Sequence, residues 1–557
     1  MPQTLRKLAI LLLLSCATWL HAQQVTIRVD ASTAQGRLRP VWSYFGYDEP
    51  NYTYMPHGRE LISELVALSA TPVYIRTHNL LTTGDGTPAL KWGSTNAYTE
   101  DASGNPVYDW KIVDQILDTY HNAHAKPFIE IGFMPEALST HPQPYRHSWP
   151  KGEIFTGWAY PPKDFGKWGE LVRQLTLHCV DRYGKQEAAS WYWEVWNEPN
   201  IPYWQGTPEE YDGLYDYAVE AVRSVLPQAR VGGPATTGPA SEKAAAYLQQ
   251  FLEHCARGTN AATGKPGAPP DFISFHAKGS PKVVDGRVQM GLANNLRDMD
   301  KGFEIVRSFP SFANLPIVLS ESDPEGCAAC SARVYPQNAY RNGTLYPAYT
   351  AVAIRSALDM AESHHANLEG FLTWAFEFEG QPYFDGFRTL ATNGVDKPVL
   401  NLFRMLGKMP SERVQAESSG AVNAADIVKS GVRAQPDVDA LATRSERTLA
   451  VLVWNYHDDD VPAADAAVKV QLSGLPKDAR RISVQEYRID HDHSNAYTVW
   501  KGLGSPQNPT PEQYEKLKAA GQLQALGPLR KMRGKNGGIE LSLMLPRQAV
   551  SLLEASW

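Results

Sequence analysis

Between residues 41 and 409, short apolar runs alternate with longer stretches of 3.6-residue periodicity. The runs at 41–47, 71–77, 127–133, 190–196, 229–233, 271–276, 315–320 and 368–376 are rich in aromatic and β-branched residues and read as strands. The periodic stretches at 58–69, 110–123, 164–183, 209–225, 242–257, 296–309 and 346–362 read as helices, with a last one at 399–407. Such alternation predicts a parallel sheet covered by helices, and eight units predict an α/β fold of the (β/α)8 TIM-barrel type with loop insertions. A doubly wound open sheet is the competing architecture. It usually carries a Gly-rich phosphate loop after its first strand, and Phe45 to Tyr52 holds none.

Beyond Pro410 the period changes to two. Residues 448–456, 468–473, 481–489 and 538–545 read as half-buried antiparallel strands, with Ile539, Leu541, Leu543 and Leu545 on one face. Residues 511–520 read as a short helix inserted among them. Residues 24–30 alternate in the same way and precede the barrel, so they are placed to pair with the later strands. The start of the chain has Arg6 and Lys7, an apolar run at 8–14, and small residues ending at Ala22. That order describes a secretory signal peptide, with an apolar run too short to span a bilayer. Cys16 after Ser15 is a weak lipid-attachment pattern, because Leu14 is bulky for one. The expected organisation is a signal peptide at 1–22, a catalytic barrel at 36–409, and a C-terminal β-sandwich accessory domain built from 24–35 and 410–557. The mature chain is expected to be secreted or periplasmic, with no membrane span.

Composition narrows the partners. Hydrophobic residues make up 43% and charged residues 20%, as in a folded soluble protein. A net charge of −7 leaves no footprint for nucleic acid. The 15 Trp and 26 Tyr suit stacking on sugar faces as well as core packing. Cys327 and Cys330 form a CxxC that reads as a loop staple in an oxidising compartment, while Cys179 and Cys255 lie on expected helices and read equally well as buried thiols. The 15 His show no HExxH or similar pairing, so no metal or cofactor is expected.

In a barrel, catalytic groups sit where strands end. The fourth strand ends in Asn197-Glu198-Pro199, and the seventh ends at Glu321. Strands four and seven face each other across a closed barrel. Two opposed carboxyls are what glycosidic bond cleavage requires: one protonated to release the leaving oxygen, the other ionised to attack the sugar. Aromatic neighbours are expected to raise the acid's pKa by desolvation.

The motif Trp193-Glu194-Val195-Trp196-Asn197-Glu198-Pro199 resembles the acid/base motif of the retaining (β/α)8 glycoside hydrolases. Segments starting at Ile75, Phe128, Asp271, Thr373 and Tyr487, with the strand end around Glu321, are similar in order to glycoside hydrolase family 39, which contains β-xylosidases and α-L-iduronidases. The resemblance implies Glu198 as general acid/base, Glu321 as nucleophile, Asn197 on the sugar 2-hydroxyl, and Arg76 holding the nucleophile ionised. His78 and His276 resemble sugar-contacting histidines, and Trp374 a stacking platform. Lys278, two residues after His276, departs from the xylosidase branch and resembles the iduronidase branch, as does Arg388. A Lys and an Arg in one subsite suit a uronate carboxylate, unless Glu379, itself counted among the substrate-binding candidates, and Asp385 neutralise them.

The leading expectation is a retaining exo-glycosidase of β-xylosidase type acting on short oligosaccharides. An iduronidase-like enzyme, or one for another pentoside, is the alternative. A non-catalytic carbohydrate-binding barrel is the third, and the retention of both Glu198 and Glu321 counts against it. Oligomeric state is open at this level.

Overall fold

The structure is a computed structural model that describes residues 24–374 and 376–557. The expected signal peptide at 1–22, with Cys16, lies outside the described residues.

Eight parallel strands form the barrel: Tyr44–Tyr47, Tyr74–Thr77, Lys126–Ile131, Tyr192–Val195, Arg230–Thr236, Phe272–His276, Ile317–Glu321, and an eighth broken into Leu368–Phe371 and Thr373–Trp374. Thr373 pairs in parallel with Phe45, which closes the ring onto the first strand. The strands are buried on both faces, which is why they read as apolar runs rather than alternating ones. Closure needs one close approach. A Cβ at Gly46 of the first strand would lie 2.3 Å from the Trp374 ring, so only glycine lets that indole cross the barrel end.

The outer helices start where their caps direct. Asp164 accepts from Lys167 N ahead of Phe165–Tyr183. Thr207 and Glu210 form a capping box ahead of Pro208–Val225, and Ser241 caps Glu242–Arg257. Helix Leu292–Arg307 begins four residues before its expected start, because buried Leu292 and Asn295 extend its inner face.

The C-terminal region is a ten-stranded mixed sheet folded as a sandwich. Val25–Arg37 lies within it, antiparallel to Glu412–Ser418 and parallel to Ala466–Ser473. Strands Glu412–Ser418, Asp437–Arg444 and Val550–Ser556 are not legible from alternation, because each carries polar residues at several positions. Strand Thr448–Tyr456 is buried on both faces. Leu449, Val451 and Val453 enter the sandwich core, while Ala450, Leu452 and Trp454 join the barrel core. The two regions therefore share apolar surface, and helix Leu345–His364 packs between them. Among the described residues no helix is long and apolar enough to cross a membrane.

Candidate active site

Charged side chains converge where the strands end. Arg76, from the centre of the second strand, is fully buried. Its guanidinium donates to Glu194 Oε2 at 2.5 Å, to Asn197 Oδ1 at 3.0 Å and to Glu321 Oε1 at 3.3 Å, and lies 3.0 Å from Glu130 Oε2. Glu130 and Glu194 are cross-strand neighbours on the third and fourth strands. Because the Asn197 carbonyl oxygen accepts from Arg76, the Asn197 amide N–H groups are left to face the cavity.

Glu198 sits just past the fourth strand, where Trp196 (φ 69°) and Glu198 itself (φ 46°) adopt left-handed backbone. Such residues cost about 1–3 kcal/mol each and persist only when surroundings hold them. Here the Glu198 N–H donates to Ala235 O at 2.9 Å, and the fully buried Trp196 indole donates to Tyr203 O at 3.0 Å. The Glu198 carboxylate then lies 2.8 Å from His276 Nδ1 and 3.9 Å from Lys278 Nζ. Glu321, ending the seventh strand, is paired with Lys278 and lies 3.6 Å from both His276 and His78. One oxygen each of Glu198 and Glu321 lie within 4.8 Å of each other.

These cations set the titration. Burial would raise Glu321, but His276, Lys278, Arg76 and His78 together hold it well below the usual carboxylate range. Glu198 departs from the expectation of a raised acid. Burial pushes it up, but Lys278 and the His276 hydrogen bond outweigh that and lower it. His78 lies 2.7 Å from Asp48 and 2.8 Å from Glu130; burial opposes its charge, yet the two carboxylates raise it to about 9.

Glu198, His276 and Glu321 are also the one group among the described residues whose ligand atoms cluster closely enough for a metal ion. The Lys278 ammonium already supplies the positive charge that their carboxylates need.

The expected neutralising pairs are different ones. Lys278 faces Glu321, not Glu379. Glu379 lies outside the cavity and accepts from His57 N at 2.9 Å at the start of a helix. Arg388 pairs with Asp323 and lies 3.4 Å from Glu325, while Asp385 pairs with Arg333 at 2.7 Å. Arg388 also stands 5.6 Å from the centre of the Trp374 ring, and His78 meets that ring edge-on. Cys327 and Cys330 form the staple, and Cys179 and Cys255 are buried thiols.

A cavity of about 540 Å3 opens over these groups. Several of its residues escaped the sequence reading: Asp48, Lys91, Trp149, Phe155 and Tyr203. Lys91 Nζ donates to Asp48 at 3.1 Å and to the Tyr203 hydroxyl at 3.0 Å. Asp48, next to Glu49 directly after the first strand, carried the signal of a strand-end acid. The loop residues carried none. A larger hollow of about 760 Å3 on the sandwich is lined by Lys477, Arg480, Arg481 and Arg533 but by no carboxylate, so it lacks the means for acid–base chemistry.

Known proteins resemble this chain over most of its length. A β-xylosidase of Caldicellulosiruptor saccharolyticus is 30% identical over 422 residues, 74% of this chain and 76% of that protein. The human α-L-iduronidase is 27% identical over 409 residues, 68% of this chain and 59% of that protein. The crystal structure of a monomeric β-xylosidase from Caulobacter crescentus CB15 superposes with a TM-score of 0.74 at 23% identity, covering 95% of this chain and 99% of that one, and shares the fold. The sequence profile of Glycosyl hydrolases family 39 matches residues 25–533, nearly the whole described chain, and the protein belongs to that family of glycoside hydrolases.

Proposed function

We propose that the protein is a retaining exo-glycosidase of β-xylosidase type, releasing terminal xylose from short oligosaccharides, with Glu321 as nucleophile and Glu198 as acid/base. The observation that carries the retaining mechanism is the spacing of the two carboxylates, one oxygen of each lying within 4.8 Å of the other. Carboxyls about 5–5.5 Å apart suit attack on the sugar itself, whereas about 6.5–9.5 Å leaves room for an intervening water. Glu321, kept ionised by its cations, attacks the anomeric carbon. The bond to the leaving oxygen breaks as Glu198 gives that oxygen its proton. Glu198 then takes a proton from water, which attacks the same carbon and frees Glu321. The outward amide of Asn197 donates to the sugar 2-hydroxyl, and Trp374 supplies an apolar face to the ring.

A second reading has one observation in its favour. Lys278 stands among the reacting groups at the base of the cavity, where an ammonium suits a uronate carboxylate. Arg388 lends it less support, because Asp323 already neutralises the guanidinium. Hydrolysis of aryl β-D-xyloside and aryl α-L-iduronide separates the two. Turnover of the iduronide alone rejects the xylosidase assignment, and NMR of the first-formed product tests retention. The N-terminal pattern of Arg6, Lys7 and an apolar run supports export. Edman sequencing of the mature protein, expected to begin just after Ala22, tests that.

A further inference from the structure

The cavity has two chemistries. Its base, at the strand ends, is charged: Glu198, Glu321, His276, Lys278 and Asp48. Its outer wall comes from the loops after the third, fourth and seventh strands and is largely apolar: Trp149, Ile154, Phe155, Tyr203, Tyr335 and the Cys327–Cys330 disulfide.

Several polar side-chain atoms on that wall are already engaged. The Trp149 indole donates to Ala329 O at 3.3 Å, which joins two loops across the mouth. The Tyr203 hydroxyl accepts from Lys91, and the Thr237 hydroxyl accepts from Asn200 at 2.6 Å. The wall is also held in place. Phe155 and Tyr203 stand 5.2 Å apart, and both pack on buried Trp158. Fully buried Arg341 donates to Cys330 O at 3.0 Å and Cys327 O at 3.1 Å, behind the disulfide.

Glu198 protonates the leaving oxygen, so the group bonded to that oxygen extends away from the base and along this wall. A second sugar there would bring several hydroxyls to a surface with few free partners, and a desolvated hydroxyl without a partner is costly. An apolar group would gain from burial against rings that need no rearrangement. We infer that the outer wall is a leaving-group subsite built for an apolar aglycone, an aryl or alkyl alcohol, so that glycosides of such alcohols are a further substrate class preferred over a chain-linked second sugar. This rests on the glycosidase reading, with Glu198 as proton donor.

The test uses whichever glycone, xylose or iduronate, the enzyme turns over. Its methyl and 2-phenylethyl glycosides release alkoxides of similar basicity, so they differ chiefly in binding. The expected kcat/KM is about tenfold higher for the phenylethyl glycoside, and higher than for the disaccharide of the same sugar. The ratio of phenylethyl to methyl is expected to drop about fivefold in Phe155→Ala and in Trp149→Ala, mainly through KM. A merely structural role for these rings lowers both substrates together and leaves the ratio unchanged. Equal rates for the two alkyl glycosides, an unchanged ratio in both variants, or a disaccharide that outruns the phenylethyl glycoside each overturn the subsite. Absence of turnover on every glycoside of either sugar instead overturns the glycosidase reading, and the subsite with it.

Discussion

Lys278 Nζ lies 3.9 Å from Glu198 Oε1 while it pairs directly with Glu321, so one ammonium holds both carboxylates toward their ionised forms. The alkaline limb of kcat/KM reports the pKa of the free enzyme's acid. Removing the cation raises that pKa, so Lys278→Met is expected to move the alkaline limb upward by about one unit on a substrate with a poor leaving group. A pH–rate profile that stays in place, or moves to lower pH, contradicts the assignment.

The carboxylates differ in what they owe to the leaving group. Glu198→Ala is expected to cost about 10²–10⁴-fold on alkyl glycosides and far less on activated aryl glycosides, which leave without a proton. Glu321→Ala is expected to abolish turnover of both. Undiminished turnover in Glu321→Ala removes it from the mechanism.

Arg76 is the fully buried partner of Glu130, Glu194 and Glu321. Arg76→Met leaves those carboxylates uncompensated, and breaking buried pairs costs about 3–5 kcal/mol. Urea unfolding measures this, and a loss below about 1 kcal/mol would falsify the structural part of its role. In any variant that folds, the pKa of Glu321 rises, so the acid limb of activity moves to higher pH.

His78 supplies a pH-dependent share of stability. Its folded pKa of about 9 lies above its ordinary 6.5, where burial, which opposes the charge, loses to Glu130 and Asp48. Its contribution is therefore complete below pH 6.5 and lost as pH rises through about 9. The stability difference between wild type and His78→Gln, followed by urea midpoints from low to high pH, is expected to shrink across that window. A difference that widens there refutes the ionisation state assigned to His78.

Gly46→Ala places a methyl group 2.3 Å from the Trp374 ring. Overpacking of this kind costs about 1–3 kcal/mol, and because the indole must shift, KM is expected to rise as well. Normal KM with normal stability means that Trp374 has room the structure does not give it.

Much of the barrel is legible along the chain. Strands buried on both faces are built mainly of apolar residues, as in Tyr44–Tyr47, and helices need a 3.6-residue stripe, so local pattern and tertiary environment carry the same information. Glu198 and Glu321 are legible for a related reason: an acid that ends an apolar strand has one place to be in a closed barrel. Glu130 and Glu194 were visible too, as lone acids inside apolar strands, though their purpose was not. They form the counter-charge beneath Arg76.

By itself, the order of residues determined the repeating strand–helix units, the change to period two after Pro410, and the two strand-end carboxylates, since each follows from neighbours in the chain. Tertiary structure alone decided that Lys278 meets Glu321 rather than Glu379, that Asp323 rather than Asp385 neutralises Arg388, and that Trp149 closes over the loop carrying Cys327 and Cys330. Charge pairing depends on distances of a few ångströms between separate loops, and those distances exist only once the barrel has closed.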